Sequence, residues 1–446
     1  MDVRIGLRSL ALAGFPAAAL LLEGCSHQNS AFVPQAGMQV PMAGERLRLP
    51  QNTLLTDTAV AKHVLTGDYF GNLYVVKRLR GSTTVPPATA AKYLSWAEVL
   101  QYDQQKVDAN GIKTLFYYNP TFQSKSGPLY NVETLAHTCS GRKIEAYRGS
   151  DNPIYLMNRE TLLAQNAKTY IDQILAQNAF DMVYEDDSGL SPFQAYRHVG
   201  LPCHVTPKEW IARDGKLERT VGVKQLPSSL NAFTESASGW HNNPNSIQLA
   251  IQNQGGVMEQ CYSSDSNPNV YFISGTLWAA EENTEIKVTA AQKLFFCYAR
   301  NYSDADASVA MRLYDYASFL LTYRPAYAVL WETYYTASNF HVFPETGLVA
   351  LDPAAHQPTD IAQLDHSGAY VRAYKKCYYR GHPVGACAAV VNPSDSASVT
   401  NPLYGKYKHS LALTGWGITD GGTATVDGAA APKSIPKQTG YIVVGQ

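Results

Sequence analysis

A chain of 446 residues with 45% hydrophobic and 16% charged residues can bury a full core, which excludes a disordered or low-complexity protein. Thirty-six basic residues against 37 acidic ones leave a net charge of −1, without the basic surplus of a nucleic-acid binder. Tyrosine, with 29 residues, dominates an aromatic share of 11%, and its flat face and hydroxyl suit a neutral, hydroxyl-rich ligand as well as ordinary packing.

The first elements in chain order are an address. Arg4 and Arg8 precede an apolar stretch from Leu10 to Leu22, the basic and hydrophobic regions of a secretory leader. The stretch ends at Leu22-Glu23-Gly24-Cys25, which resembles the lipobox of bacterial lipoproteins except for the acidic Glu23. That resemblance implies a lipid on Cys25 and membrane attachment; plain cleavage near Gly24 with release is the other outcome. Either way the chain is expected to be exported, facing the periplasm, on the outer membrane or secreted. Residues 26–58, rich in Gln, Pro, Ser and Gly, read as a tether. Beyond Cys25 six cysteines remain, an even number that fits three disulfides in an oxidising compartment. Cys377 and Cys387 flank a turn and form the best single pair; the connectivity of Cys139, Cys203, Cys261 and Cys297 stays open.

From residue 59 to 364 short apolar strands alternate with helical patterns. Strands are expected at His63–Gly67, Thr114–Asn119, Lys143–Tyr147, Asp181–Asp186, Ser246–Gln252, Gly256–Gln260, Lys293–Ala299 and Ala326–Glu332. Eight strands are what a TIM (β/α)8-like barrel requires, with an open doubly wound sheet as the alternative. Helices are expected at Trp96–Asn110, behind a Ser95/Glu98 capping box, at Arg159–Asn178 and at Asp304–Thr322. Over residues 365–446 the pattern turns to alternating β runs between Gly, Pro, Asn and Ser turns. These are Ala369–Tyr379, Val384–Val391, Ser410–Thr414, Thr423–Val426 and Gly440–Val444, which read as a small C-terminal antiparallel β-sandwich.

Barrel enzymes place their chemistry at the C-terminal ends of the strands, so acids there are the first candidates. The run Asp181-Met182-Val183-Tyr184-Glu185-Asp186-Asp187 ends in three adjacent acids, whose repulsion calls for a cation, an arginine or a catalytic use. Alternation sets Met182, Tyr184 and Asp186 on one face and Val183, Glu185 and Asp187 on the other, and only one set can point inward. A second acid, Glu259, closes Gly255-Gly256-Val257-Met258-Glu259. Two carboxylates across a barrel mouth are what hydrolysis of a glycosidic bond needs, one as acid and the other as nucleophile or base. Asp187, Asn119, Tyr147, Asn253, Trp331, Glu332 and Asp68 also fall at expected strand ends and are candidates for binding substrate hydroxyls. No G-x-S-x-G, H-E-x-x-H, P-loop or G-x-G-x-x-G run occurs, and the 11 histidines show no ligand spacing, so neither a metal nor a cofactor is expected.

These segments resemble bacterial TIM-barrel glycoside hydrolases over roughly residues 60–446. Phe180–Asp187 is similar to their FDGVFLDD strand and Gly255–Glu259 to a GxxxE strand end. Tyr316–Leu321 and His341–Glu345 are similar to the segments that close such barrels. Ala369–Tyr374 with Val390–Ser394 resembles the opening of their C-terminal sandwich. The resemblance implies Asp186 as nucleophile or general base and Glu259 as general acid. Met182 stands where the family has Gly and Glu185 where it has an apolar residue, which leaves the choice between Asp186 and Asp187 open. The expectation is an exported, monomeric glycoside hydrolase acting on a poly- or oligosaccharide. Its rival is a non-catalytic carbohydrate-binding lipoprotein on a degenerate barrel.

Overall fold

The structure is a computed structural model; it describes residues between 72 and 445, leaving out chiefly 76–93, 146–152, 187–199, 228–243, 302–304, 335–342 and 416–422. The expected leader, tether and first strand His63–Gly67, with Asp68, Tyr147 and Asp187, lie outside the described residues. No described helix is long and apolar enough to cross a membrane.

In chain order the first part comprises β1 (Asn72–Val75), β2 (Trp96–Glu98), α1 (Gln104–Asp108), β3 (Lys113–Tyr118), β4 (Phe122–Ser124) and β5 (Ile154–Leu156). It continues with α2 (Thr161–Gln177), β6 (Met182–Glu185), α3 (Pro207–Val221), β7 (Gln225–Pro227) and α4 (Pro244–Gln252). Then come β8 (Gly255–Ser266), β9 (Asn269–Phe272), α5 (Gly275–Ala290), β10 (Leu294–Asn301), α6 (Ala305–Thr322) and β11 (Ala328–Tyr334). Eight of these strands pair in parallel in the order β7-β6-β3-β2-β1-β11-β10-β8, with β9 antiparallel on β8. Read as a circle, that is chain order interrupted only between β7 and β8, which lie side by side without a backbone ladder among the described residues.

The sheet is curled. Tyr184 on β6 and Trp331 on β11 are four ladder steps apart, about 19 Å on a flat sheet at about 4.8 Å per strand. Their ring centroids nevertheless lie 5.1 Å apart. Trp96 on β2 meets Phe296 on β10 edge-on at 5.3 Å in the same way. The residues enclosed by the curl, Trp96, Leu115, Met182, Tyr184, Val257, Phe296, Tyr298, Val329 and Trp331, form one buried cluster, to which β6, β10 and β11 contribute every second residue. The fold is therefore α/β and barrel-like, with one seam.

Three local expectations are corrected. Trp96–Glu98 is a strand, not the start of a helix: all three residues are buried in the ladder between β1 and β3, so tertiary burial overrides the capping signal. Ser246–Gln252 is helical in α4, where Ile247 and Ala250 pack on the core three residues apart while Gln248 and Gln252 are exposed. Lys143–Tyr147 contributes only isolated bridges at Lys143 and Glu145, outside the parallel sheet. The strand count of eight is met instead by β1, β2 and β7.

The C-terminal part holds β12 (Leu348–Pro353), β13 (Asp365–His366), β14 (Ala369–Tyr379), β15 (His382–Asn392) and β16 (Val399–Thr400). Its later strands are β17 (His409–Thr414), β18 (Thr423–Gly428), β19 (Ser434–Ile435) and β20 (Thr439–Val444). All five expected runs are strands. They form one antiparallel seven-stranded sheet, β12-β14-β15-β20-β17-β18 with β13 on β14, and β16–β19 is a separate ribbon. The described residues thus show a single sheet rather than two facing ones. Its partner layer is α6: Ala389, Val391, Leu411, Ile442 and Val444 share a core with Tyr314, Ala317 and Leu321. At Gly440 the approach is so close that a Cβ would stand 2.8 Å from that of Ala317 and 3.0 Å from the Leu313 carbonyl oxygen.

Helix α6 therefore lies between two sheets and is buried on all sides over residues 314–322, and at Arg312, which forces its polar residues to find internal partners. Arg312 makes a bidentate ion pair with Glu345, at 2.6 and 2.7 Å, and donates to the Gly415 carbonyl. Asp315 accepts from Ser263 Oγ, Ser318 from Trp278 Nε1, and Thr322 donates to Glu282. Three disulfides join Cys139 to Cys203, Cys261 to Cys297 and Cys377 to Cys387, so all six cysteines pair and the expected bridge is among them.

Candidate active site

The inward rows of the barrel decide which acids share a space. Register pairs Leu115 with Met182 and Tyr117 with Tyr184, so β6 sends Met182 and Tyr184 inward and Val183 and Glu185 outward. Asp186, two residues past Tyr184, follows the inward set. Its carboxylate accepts the Tyr117 hydroxyl at 2.7 Å and lies 3.4 Å from that of Tyr184, and its N–H donates to the Tyr118 carbonyl. Two phenols on one carboxylate fix its orientation.

Glu185 goes the other way. It is fully buried on the outer face of β6, accepts the Tyr118 hydroxyl at 2.9 Å, and meets Asp214 and Glu218 of α3. Oxygens of these three carboxylates lie within 4.8 Å of one another, spacing that a cation could use. The trio is separated from Asp186 by the barrel wall and takes no part in the interior.

Glu259 lies at the C-terminal end of the regular part of β8. Register pairs it with Tyr298 on β10, and Tyr298 with Trp331 on β11, the row of the inward aromatics. Tyr298 and Trp331 stack at 4.2 Å, Trp331 meets Tyr184 edge-on, and Tyr184 meets Tyr117 at 5.8 Å. A continuous run of rings thus leads from Tyr298 on β10, the register partner of Glu259, to the two tyrosines that hold Asp186. Gly255 lets β8 approach β10 at its start: with φ +140°, a Cβ there would fall 1.9 Å from the Leu294 carbonyl oxygen.

The remaining candidates separate. Trp331 faces the interior but is 1% exposed, so it is part of the barrel filling beneath the mouth. Asn119 follows β3 at the mouth, and its side-chain oxygen is engaged by the N–H groups of Thr121 and Phe122, which fixes the turn. Glu332 pairs with Ala299 and stands in the row that alternates with Trp331. Asn253 is corrected in position: it follows α4 and precedes β8, so it lies at the strands' N-terminal end, away from Asp186. Sequence reasoning missed Tyr117 and Tyr298 as site residues. The signal for Tyr117 was its place one strand over from Tyr184, visible only once register is known.

Behind β8 lies a second group that the sequence did not flag. Glu281, Glu282 and Glu285 on α5 and Asp315 on α6 are all buried. Burial is the largest influence on each and pushes all four carboxyls up, Glu285 to about 8.

A scan against models of protein families and a search of curated proteins gave no match. Among solved structures, the chain is similar to the glycoside hydrolase domain of PelA from Pseudomonas aeruginosa at 9% identity, covering 60% of this chain and 96% of that one, with a TM-score of 0.37. It is similar to Ega3 of Aspergillus fumigatus in complex with galactosamine at 11% identity, covering 61% and 93%, with a TM-score of 0.35. Eubacterium rectale Amy13B shows 8% identity, coverage of 86% and 96%, and a TM-score of 0.40.

Proposed function

We infer that this chain is an exported glycoside hydrolase whose Asp186 and Glu259 act across the mouth of a (β/α)8-type barrel. The observation that carries this reading is the placing of the Asp186 carboxylate on the inner rim by Tyr117 and Tyr184. The belt of rings leads from there to the row of Glu259. In the proposed reaction Glu259 protonates the glycosidic oxygen as the bond to the anomeric carbon breaks. Asp186 attacks that carbon when the carboxyls stand about 5–5.5 Å apart, or activates a water when they stand about 6.5–9.5 Å apart. The phenol hydrogen bonds hold Asp186 aimed for either role. Three disulfides in one chain fit an oxidising compartment and support export, with Cys25 as the proposed lipid attachment point.

The test is release of reducing ends from a panel of bacterial and plant polysaccharides, with Asp186→Asn and Glu259→Gln as controls. Each substitution is expected to lower kcat by at least about a hundredfold with melting unchanged. Wild-type turnover in either variant removes that residue from the mechanism. Sugar binding without any release of reducing ends by the wild type overturns the hydrolase reading in favour of a carbohydrate-binding protein.

A further inference from the structure

Strand β8 changes character directly after Glu259. Tyr298 of β10 pairs with Glu259 and Arg300 pairs with Ser264, so five steps on β8 oppose two on β10. Three extra residues are accommodated within 260–263. Such bulges bend a strand and re-aim the side chains beside them. Within this one Tyr262 adopts φ 61°, a left-handed conformation that a bulky residue takes only when its surroundings impose it.

The surroundings are specific. The Tyr262 N–H donates to Glu281 Oε2 at 2.8 Å and its hydroxyl to Glu285 Oε2 at 3.0 Å. The Ser263 hydroxyl donates to Asp315 Oδ2 at 2.7 Å, and Cys261 is bonded to Cys297 on β10. Cys261, Tyr262, Ser263 and the three acids are all buried. Burying three carboxyls is costly, and an apolar helix face would pack against a regular strand without that cost. What these carboxyls do is accept the polar groups that the bulge turns outward.

We propose that the 260–263 bulge, clamped from behind by Glu281, Glu285, Asp315 and the Cys261–Cys297 bridge, is the positioning device that aims Glu259 into the barrel mouth. This rests on the reading of Glu259 as the acid. The carboxyls are positioning residues: they act on Glu259 through the backbone and never meet the substrate. The amide analogue of Glu281 keeps a side-chain oxygen as acceptor for the Tyr262 N–H, whereas an aliphatic replacement removes it.

The experiment compares Glu281→Gln and Glu281→Leu by turnover and by hydrogen exchange of the 257–266 backbone. Glu281→Leu is expected to speed exchange at Tyr262 and to lower kcat roughly 10–100-fold with KM nearly unchanged, the signature of a misplaced catalytic group. Glu281→Gln is expected to restore both. Tyr262→Phe and Ser263→Ala, which remove one hydroxyl each, supply the same comparison if the leucine variant does not fold. Faster exchange with undiminished kcat overturns the aiming role, and unchanged exchange overturns the clamp itself. A wild type that hydrolyses nothing removes the hydrolase reading and the aiming role with it, while the exchange arm still reports whether the clamp exists.

Discussion

The ion pair between Arg312 and Glu345 offers a test of the buried-helix arrangement that needs no substrate. Both side chains are fully buried, the pair is bidentate, and the guanidinium also donates to Gly415 and lies 4.6 Å over the Phe343 ring. Removing one partner of such a pair costs about 3–5 kcal/mol, because the other charge is left without compensation. Arg312→Met and Glu345→Leu each strand one buried charge, whereas the double variant leaves none behind. The double variant should therefore be less destabilised than either single one, by about 1–4 kcal/mol. Denaturant titration of the three variants is the assay. Losses that simply add in the double variant would refute the reasoning.

The remaining predictions concern packing and titration. Gly440→Val inserts a branched side chain where even a Cβ would stand 2.8 Å from that of Ala317; it should cost about 1–3 kcal/mol or more in denaturant titration, while Gly200→Ala, in open space and without a left-handed backbone, should cost under about 0.5 kcal/mol. Glu285 is held protonated up to about 8 in the folded chain and ionises near the ordinary glutamate value when unfolded. Stability should therefore fall as pH rises from about 4.5 to about 8, and Glu285→Gln, which cannot titrate, should flatten that fall in melting curves taken at pH 5 and pH 8. An unflattened curve would assign the dependence to other groups.

Much of the architecture was legible because it is written in periodicity. The β runs after residue 365 are short, rich in apolar residues and bounded by turn residues, and each is a strand. Thr161–Gln177 shows its buried Leu163, Ala167, Ile171 and Ile174 at helical spacing. Short barrel strands carry less information. Trp96-Ala97-Glu98 is three residues long, and its Ser95 and Glu98 mimic a helix start; only its place between β1 and β3 makes it a strand. Ser-Ile-Gln-Leu-Ala-Ile-Gln fits alternation nearly as well as a helical repeat, so α4 was indistinguishable from a strand, and Asn253 was placed at the wrong end of the barrel in consequence. The C-terminal sheet was readable, but its partner layer was not. Nothing in the β runs says whether a second sheet or a helix such as α6 covers them.

The acidic run at 185–187 shows how register turns an ambiguous motif into separate roles. In sequence, three adjacent acids compete for one mouth. In the fold, pairing of Tyr117 with Tyr184 commits Glu185 to the outer face, where it joins Asp214 and Glu218, and Asp186 to the inner rim, where two tyrosine hydroxyls receive it. The unusual glutamate therefore does not displace the aspartate, since the barrel wall stands between them. The same logic applies on β8. Register holds the Glu259 backbone opposite Tyr298, and only after it does the strand abandon regular pairing. Asp186 thus follows the last registered residue of β6 and Glu259 precedes the irregular stretch of β8, so each lies where the regular ladder of its strand ends.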